Sequence, residues 1–106
     1  MRSCRVLLRE LAIDDVHVDA GYADLFVVRR EGDEQPGPSD WEATVRTDLR
    51  QHLPPGRHEL RAITNDDQEL RGEALLRFSD GHRHLFRADG HLDGGAAVVA
   101  VGDDLR

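Results

Sequence analysis

The chain is 106 residues long, with 33% charged against 39% hydrophobic residues and a formal net charge of −7. That length fits one domain around a single core, spanning 1–106, and the composition is that of a folding chain rather than a disordered one. The acidic excess opposes non-specific attraction to nucleic acid or an anionic membrane, and the single cysteine, Cys4, excludes an internal disulfide framework and suits a cytoplasmic location.

All 14 basic residues are arginine, which reads as codon usage in a GC-rich, bacterial genome. From Ser3 to Ile13 the apolar residues change parity, first Cys4, Val6 and Leu8, then Leu11 and Ile13. This predicts a strand bulged near Glu10, with a short helix pairing Leu7 and Leu11 as the competing template. Charges at Arg9 and Glu10 interrupt the apolar run, so no secretory or membrane-spanning segment is expected. Val16 and Val18 alternate with His17 and Asp19. The continuous Leu25-Phe26-Val27-Val28 then predicts a central strand buried on both sides.

Residues 31–40 read as an exposed, mobile polar loop. The next stretch fits two templates. Trp41, Ala43, Val45, Thr47 and Leu49 alternate as in a strand, whereas Ser39-Asp40-Trp41-Glu42 resembles a capping box and Trp41, Val45, Leu49 and Leu53 are spaced as on a helix. β-branched Thr44, Val45 and Thr47 favour a strand through Asp48, with a helical turn or irregular backbone over 49–53. After Pro54-Pro55-Gly56, the residues His58, Leu60, Ala62 and Thr64 alternate, and Asn65-Asp66-Asp67 turns into a strand over 68–78. Residues 96–101 read as a last buried strand and 102–106 as a frayed acidic end.

Residues 71–93 read as a hairpin turning at Ser79-Asp80-Gly81, with Gly81 supplying a positive φ. The expected register sets Phe78 opposite His82, Leu76 opposite His84 and Ala74 opposite Phe86. Ala74, Leu76, Phe78, His82, His84 and Phe86 then face the core, and Glu73, Leu75, Arg77, Arg83, Leu85 and Arg87 face solvent. Together these elements predict an all-β fold, a small antiparallel barrel or sandwich of seven to eight short strands, with a short helix near 40–53 as the open alternative.

His82 and His84 lie two apart, the spacing a strand needs to offer two imidazoles to one metal, but no carboxylate follows at a short interval, and neither a metal nor a cofactor is assigned. Asp89-Gly90 and Asp93-Gly94 are ordinary turn chemistry without a calcium ligand ladder. No phosphate-binding loop, dinucleotide fingerprint or nucleophile elbow occurs, nothing adjacent activates Cys4, and no catalytic residue is assigned. Arg77, Arg83 and Arg87 form a basic stripe around Leu75 and Leu85. Nucleic acid is disfavoured there, because five aromatics serve the whole chain, at least three of them assigned to the core, and Glu59, Glu69 and Glu73 interleave with the stripe. The expected function is therefore a non-catalytic interaction or assembly module, binding a protein partner or a second copy through Leu75, Arg77, Arg83, Leu85 and Arg87. The alternative is a barrel that binds a small apolar molecule, with isomerase or cyclase activity, lined by Tyr22, Trp41, Phe78, His84 and Phe86.

Overall fold

Twelve residues of strand-forming sequence make β1, Arg2–Ile13, long enough to serve two different neighbours. The computed structural model describes residues 2–29 and 38–94. Residues 31–37 of the loop expected over 31–40, the strand expected over 96–101 and the acidic end lie outside the described residues. Within them follow β2 (Val16–His17), β3 (Ala20–Arg29), β4 (Asp40–Thr47), β5 (Gly56–Thr64), β6 (Glu69–Ser79) and β7 (Arg83–Ala88), all paired antiparallel. The first half of β1 pairs with β3 and the second half with β5, with the register shifting between Leu8 and Glu10. That bulge is the one expected from the parity change. By reaching β5, β1 closes the ring β1-β3-β4-β7-β6-β5 into a six-stranded barrel, and β2 hangs on β1 as a seventh strand. Closure removes the sheet edges that would otherwise invite pairing with other chains.

Alternation along the strands sends one set of side chains inward. Leu25, Val27, Trp41, Ala43, Val45, Leu60, Ala62, Leu70, Ala74 and Phe86 meet in one buried cluster. Burial of a side chain the size of Phe86 contributes roughly 1.5–3 kcal/mol. The indole of Trp41 lies against β6 at Gly72, where a Cβ would come 2.6 Å from Cζ2, so glycine is what admits it. Trp41 Nε1–H donates to the Gly90 carbonyl at 3.0 Å, and the Leu92 amide donates to the Pro38 carbonyl at 2.8 Å, closing one barrel end with buried Leu92.

The segment 48–55 crosses the other end, held by the Gln51 amide on the Gly81 carbonyl at 2.7 Å and by half-buried Leu53. Buried His58 pins this end from inside. Its Nε2–H donates to the Pro54 carbonyl at 2.7 Å, and its Nδ1 lies 2.6 Å from Asp14 Oδ2 in the β1–β2 turn. Asp14 and Asp15 both take positive φ, 52° and 65°, as a two-residue hairpin turn requires.

Several expectations are corrected. No helix forms among the described residues. The segment 40–47 is strand, the favoured reading, and the competing helices fail because Leu49 is 79% exposed, which breaks the four-spaced stripe, and Leu7 and Leu11 lie in β1. β3 is not buried on both sides, because a closed sheet has one covered face, and Phe26 on the outer face is 37% exposed. The hairpin register also differs. Ala74 pairs with Ala88, Leu76 with Phe86, Phe78 with Leu85 and Ser79 with His84, with a bulge between Leu76 and Phe78.

Candidate functional site

The β6–β7 turn shows why the hairpin pairs as it does. Asp80 Oδ1 accepts from the amides of His82 at 2.9 Å and Arg83 at 2.7 Å, and these two bonds hold its carboxyl below the ordinary carboxylate value of 3.8. Gly81 takes the expected positive φ, 97°. His82 is drawn toward β4, not β6. Its carbonyl accepts from the Thr47 amide at 2.7 Å, and its Nδ1–H donates to the Thr47 carbonyl at 3.1 Å. With His82 taken out of the β6 ladder, pairing resumes at Ser79 and His84, and the bulge at Arg77 absorbs the difference.

The bulge reverses the parity of the end of β6. Phe78 leaves the core and stands 46% exposed on the outer wall, directly opposite Leu85. Leu75 pairs there with Arg87, Arg46 of β4 with Arg83, and Thr44 of β4 with Leu85. The structure thus places Leu75, Arg77, Arg83, Leu85 and Arg87 on one wall, as expected, and adds Phe78 and Arg46. Phe78 was assigned to the core because its parity fits a bulge-free strand. Arg46 carried no local signal, since only strand order sets it beside Arg83. A hollow of about 360 Å³ is lined by Glu42, Ala43, Arg77, Leu85, Phe86 and Arg87.

The charges of this wall are unevenly matched. Arg87 Nη1 donates to Glu42 Oε1 at 2.8 Å, whereas Arg46, Arg77 and Arg83, all exposed, have no ion-pair partner among the described residues. Neutralisation by interleaved glutamates holds only farther along the sheet. Glu73 and Asp89 there pair with Arg57, and Glu69 pairs with Arg71.

The five residues expected to line a ligand cavity are not brought together. Trp41, His84 and Phe86 are buried inside the barrel, Phe78 is on the outer wall by the bulge, and Tyr22 is on the outer face of β3, 39% exposed. His58 meets Phe86 edge-on, with ring centroids 5.9 Å apart. His84 is held below the ordinary imidazole range by burial first, against the pull of Asp80, so its ring is neutral. Ser79 Oγ lies 2.8 Å from its Nδ1, and its Nε2 has no hydrogen-bond partner among the described residues. His82 and His84 point to different surroundings, His82 to the Thr47 carbonyl and His84 to the interior, and among the described residues no group of three metal-ligating side chains forms.

A second apolar spot, not expected from the sequence, lies on β1 and β3. Leu7, Tyr22 and Phe26 are exposed around Asp24, which is 3% exposed although it sits on the outer wall. Tyr22 O–H donates to Asp24 Oδ2 at 2.5 Å, Arg5 Nε lies 3.7 Å from the same oxygen, and the Arg5 guanidinium caps the Phe26 ring at 5.7 Å. No protein-family model, curated protein or solved structure matched the chain in three comparisons, so geometry alone carries the functional reading.

Proposed function

We propose that the protein is a non-catalytic β-barrel interaction module that engages a protein partner through the outer wall of the β6–β7 hairpin. One observation carries the reading. The bulge at Arg77 turns Phe78 out beside Leu85, making a contiguous apolar spot ringed by Arg77, Arg83 and Arg87. An aromatic and a leucine at the centre with arginines at the rim is the composition of a protein-binding patch, in which a few desolvated apolar anchors carry most of the affinity. The apolar side chains here gain nothing by facing water, and the barrel core does not need them.

The test is native mass spectrometry of the protein purified from its own host. The expected result is a species heavier than the 11.9 kDa chain that falls to the monomer in the Arg83→Glu, Leu85→Ser double variant. Both positions lie outside the buried cluster, so the variant should keep the wild-type unfolding midpoint. A bare wild-type monomer, or an assembly indifferent to the double variant, overturns the proposal.

A further inference from the structure

We infer that the segment received by this wall is an acidic protein segment with an apolar anchor: a leucine- or phenylalanine-sized side chain seated beside Leu85 and Phe78, with Asp or Glu on either side reaching Arg77, Arg83 and Arg46. The inference rests on the hairpin wall being the docking face, and it names what docks.

Charge complementarity selects this occupant. The chain holds 21 Asp and Glu against 14 Arg, so an exposed arginine has more carboxylates available than it needs. Yet Arg46, Arg77 and Arg83, gathered by β4, β6 and β7, have none within ion-pair distance among the described residues. The nearby acids are engaged. Glu42 holds Arg87, and Asp80 is turned onto the amides of His82 and Arg83. The wall is thus a positive island on a chain of net charge −7. Arginines on the rim of an apolar spot present forked donors to carboxylates, and those bonds strengthen once the spot is covered and water leaves. The 360 Å³ hollow lined by Arg77, Leu85 and Arg87 among others gives the anchor its seat.

Two other occupants fit less well. A second copy docked face to face would set these arginines against their own images, since a two-fold contact repeats the same patch on both sides. A nucleic-acid strand needs a run of stacking rings. Phe78 is the one outward-facing aromatic of β4, β6 and β7, while Tyr22 and Phe26, on neighbouring β3, are engaged by Asp24 and by Arg5.

A displayed library of random peptides selected against the full chain, with the Phe78→Ser, Leu85→Ser double variant as counter-selector, tests the inference. Retained peptides should carry Asp or Glu flanking an apolar residue. Their affinity should fall about 100-fold in the double variant and about tenfold in Arg83→Glu. Arg83→Glu keeps the apolar spot and serves as a second, independent readout. Peptides that need Phe78 and Leu85 but show no acidic enrichment overturn the occupant while leaving the docking wall standing. Peptides indifferent to the double variant, or no retained peptide, overturn the occupant, and the wall is then judged by whether the native assembly collapses in Arg83→Glu, Leu85→Ser. Concentration-dependent self-association of the pure chain that Arg83→Glu abolishes identifies a second copy and overturns it. Tighter retention of a thymidine oligonucleotide than of any peptide does the same.

Discussion

The barrel carries two outward-facing apolar spots, one on β1 and β3 and one on β6 and β7, and they differ in how their charges are matched. On β1 and β3, Leu7, Tyr22 and Phe26 surround Asp24, whose carboxylate accepts from Tyr22 and faces Arg5, while Arg5 covers Phe26. Each polar group there has a neighbour of the right kind. On β4, β6 and β7, Phe78, Leu85 and Leu75 are bordered by Arg46, Arg77 and Arg83, for which the described residues offer no carboxylate. Scattered exposed apolar side chains are ordinary on a protein surface. Apolar side chains beside unmatched charge ask for a partner, and the first wall supplies the control for the second.

The largest effect expected from this contrast is in assembly. Phe78→Ser with Leu85→Ser should weaken partner binding about 100-fold, whereas Leu7→Ser with Phe26→Ser should change it less than about twofold. Equal losses from both pairs, read as dissociation of the native complex, would break the comparison. Next in size is stability, where the order reverses. Asp24→Ala removes the acceptor of the Tyr22 hydroxyl and the charge facing Arg5 and should lower the urea unfolding midpoint. Arg83→Ala, on the unmatched wall, should stay within about 0.5 kcal/mol.

Much of the barrel was legible because its signals are local. The parity change from Leu8 to Leu11 announced the β1 bulge, and the alternation of His58, Leu60, Ala62 and Thr64 announced a strand, of which these four form the buried face. What was illegible is non-local. Nothing near Arg77 marks a bulge. It follows from Thr47, some 35 residues earlier, drawing His82 out of the hairpin ladder through three hydrogen bonds, and Phe78 moves from core to surface as a result. No local signal sets Asp24 apart from the other acids among 21, and only the pairing of β3 with β1 brings Arg5 over it. The hairpin wall was half visible: its residues on β6 and β7 could be read, but not the contribution of β4.

Acid should loosen the β6–β7 turn. Asp80 has a folded pKa below its ordinary 3.8, because the Arg83 and His82 amides bond to its charged form. The stabilisation is therefore complete above the ordinary value and disappears as pH falls through the folded value. Asp14, held down by the Glu59 amide and by His58, responds over the same window, so global unfolding does not separate the two. Amide chemical shifts do. Those of His82 and Arg83 should move in acid with a midpoint below 3.8, and Asp80→Asn should remove the titration from both.

The smallest effect tests whether the wall of β1 and β3 is satisfied as the contrast requires. Tyr22 is the one tyrosine in the chain, so its phenol can be titrated by absorbance without assignment. Its hydrogen bond to Asp24, with partial desolvation and the nearby negative charge, raises its pKa above the ordinary 10.0, while Arg5 pulls the other way. The neutral phenol is the form that donates, so the bond's contribution is fully present below the ordinary value and is lost as pH rises through the folded one. Asp24→Asn should bring the midpoint back toward 10.0, and Arg5→Ala should push it further up. Phe78→Ser with Leu85→Ser, on β6 and β7 beyond β4, should leave it where it is. A wild-type midpoint at the ordinary value, unmoved by Asp24→Asn, would mean that Asp24 is not tied to Tyr22. The two walls would then both carry unmatched charge, and the choice of the hairpin as the docking face would lose its physical basis.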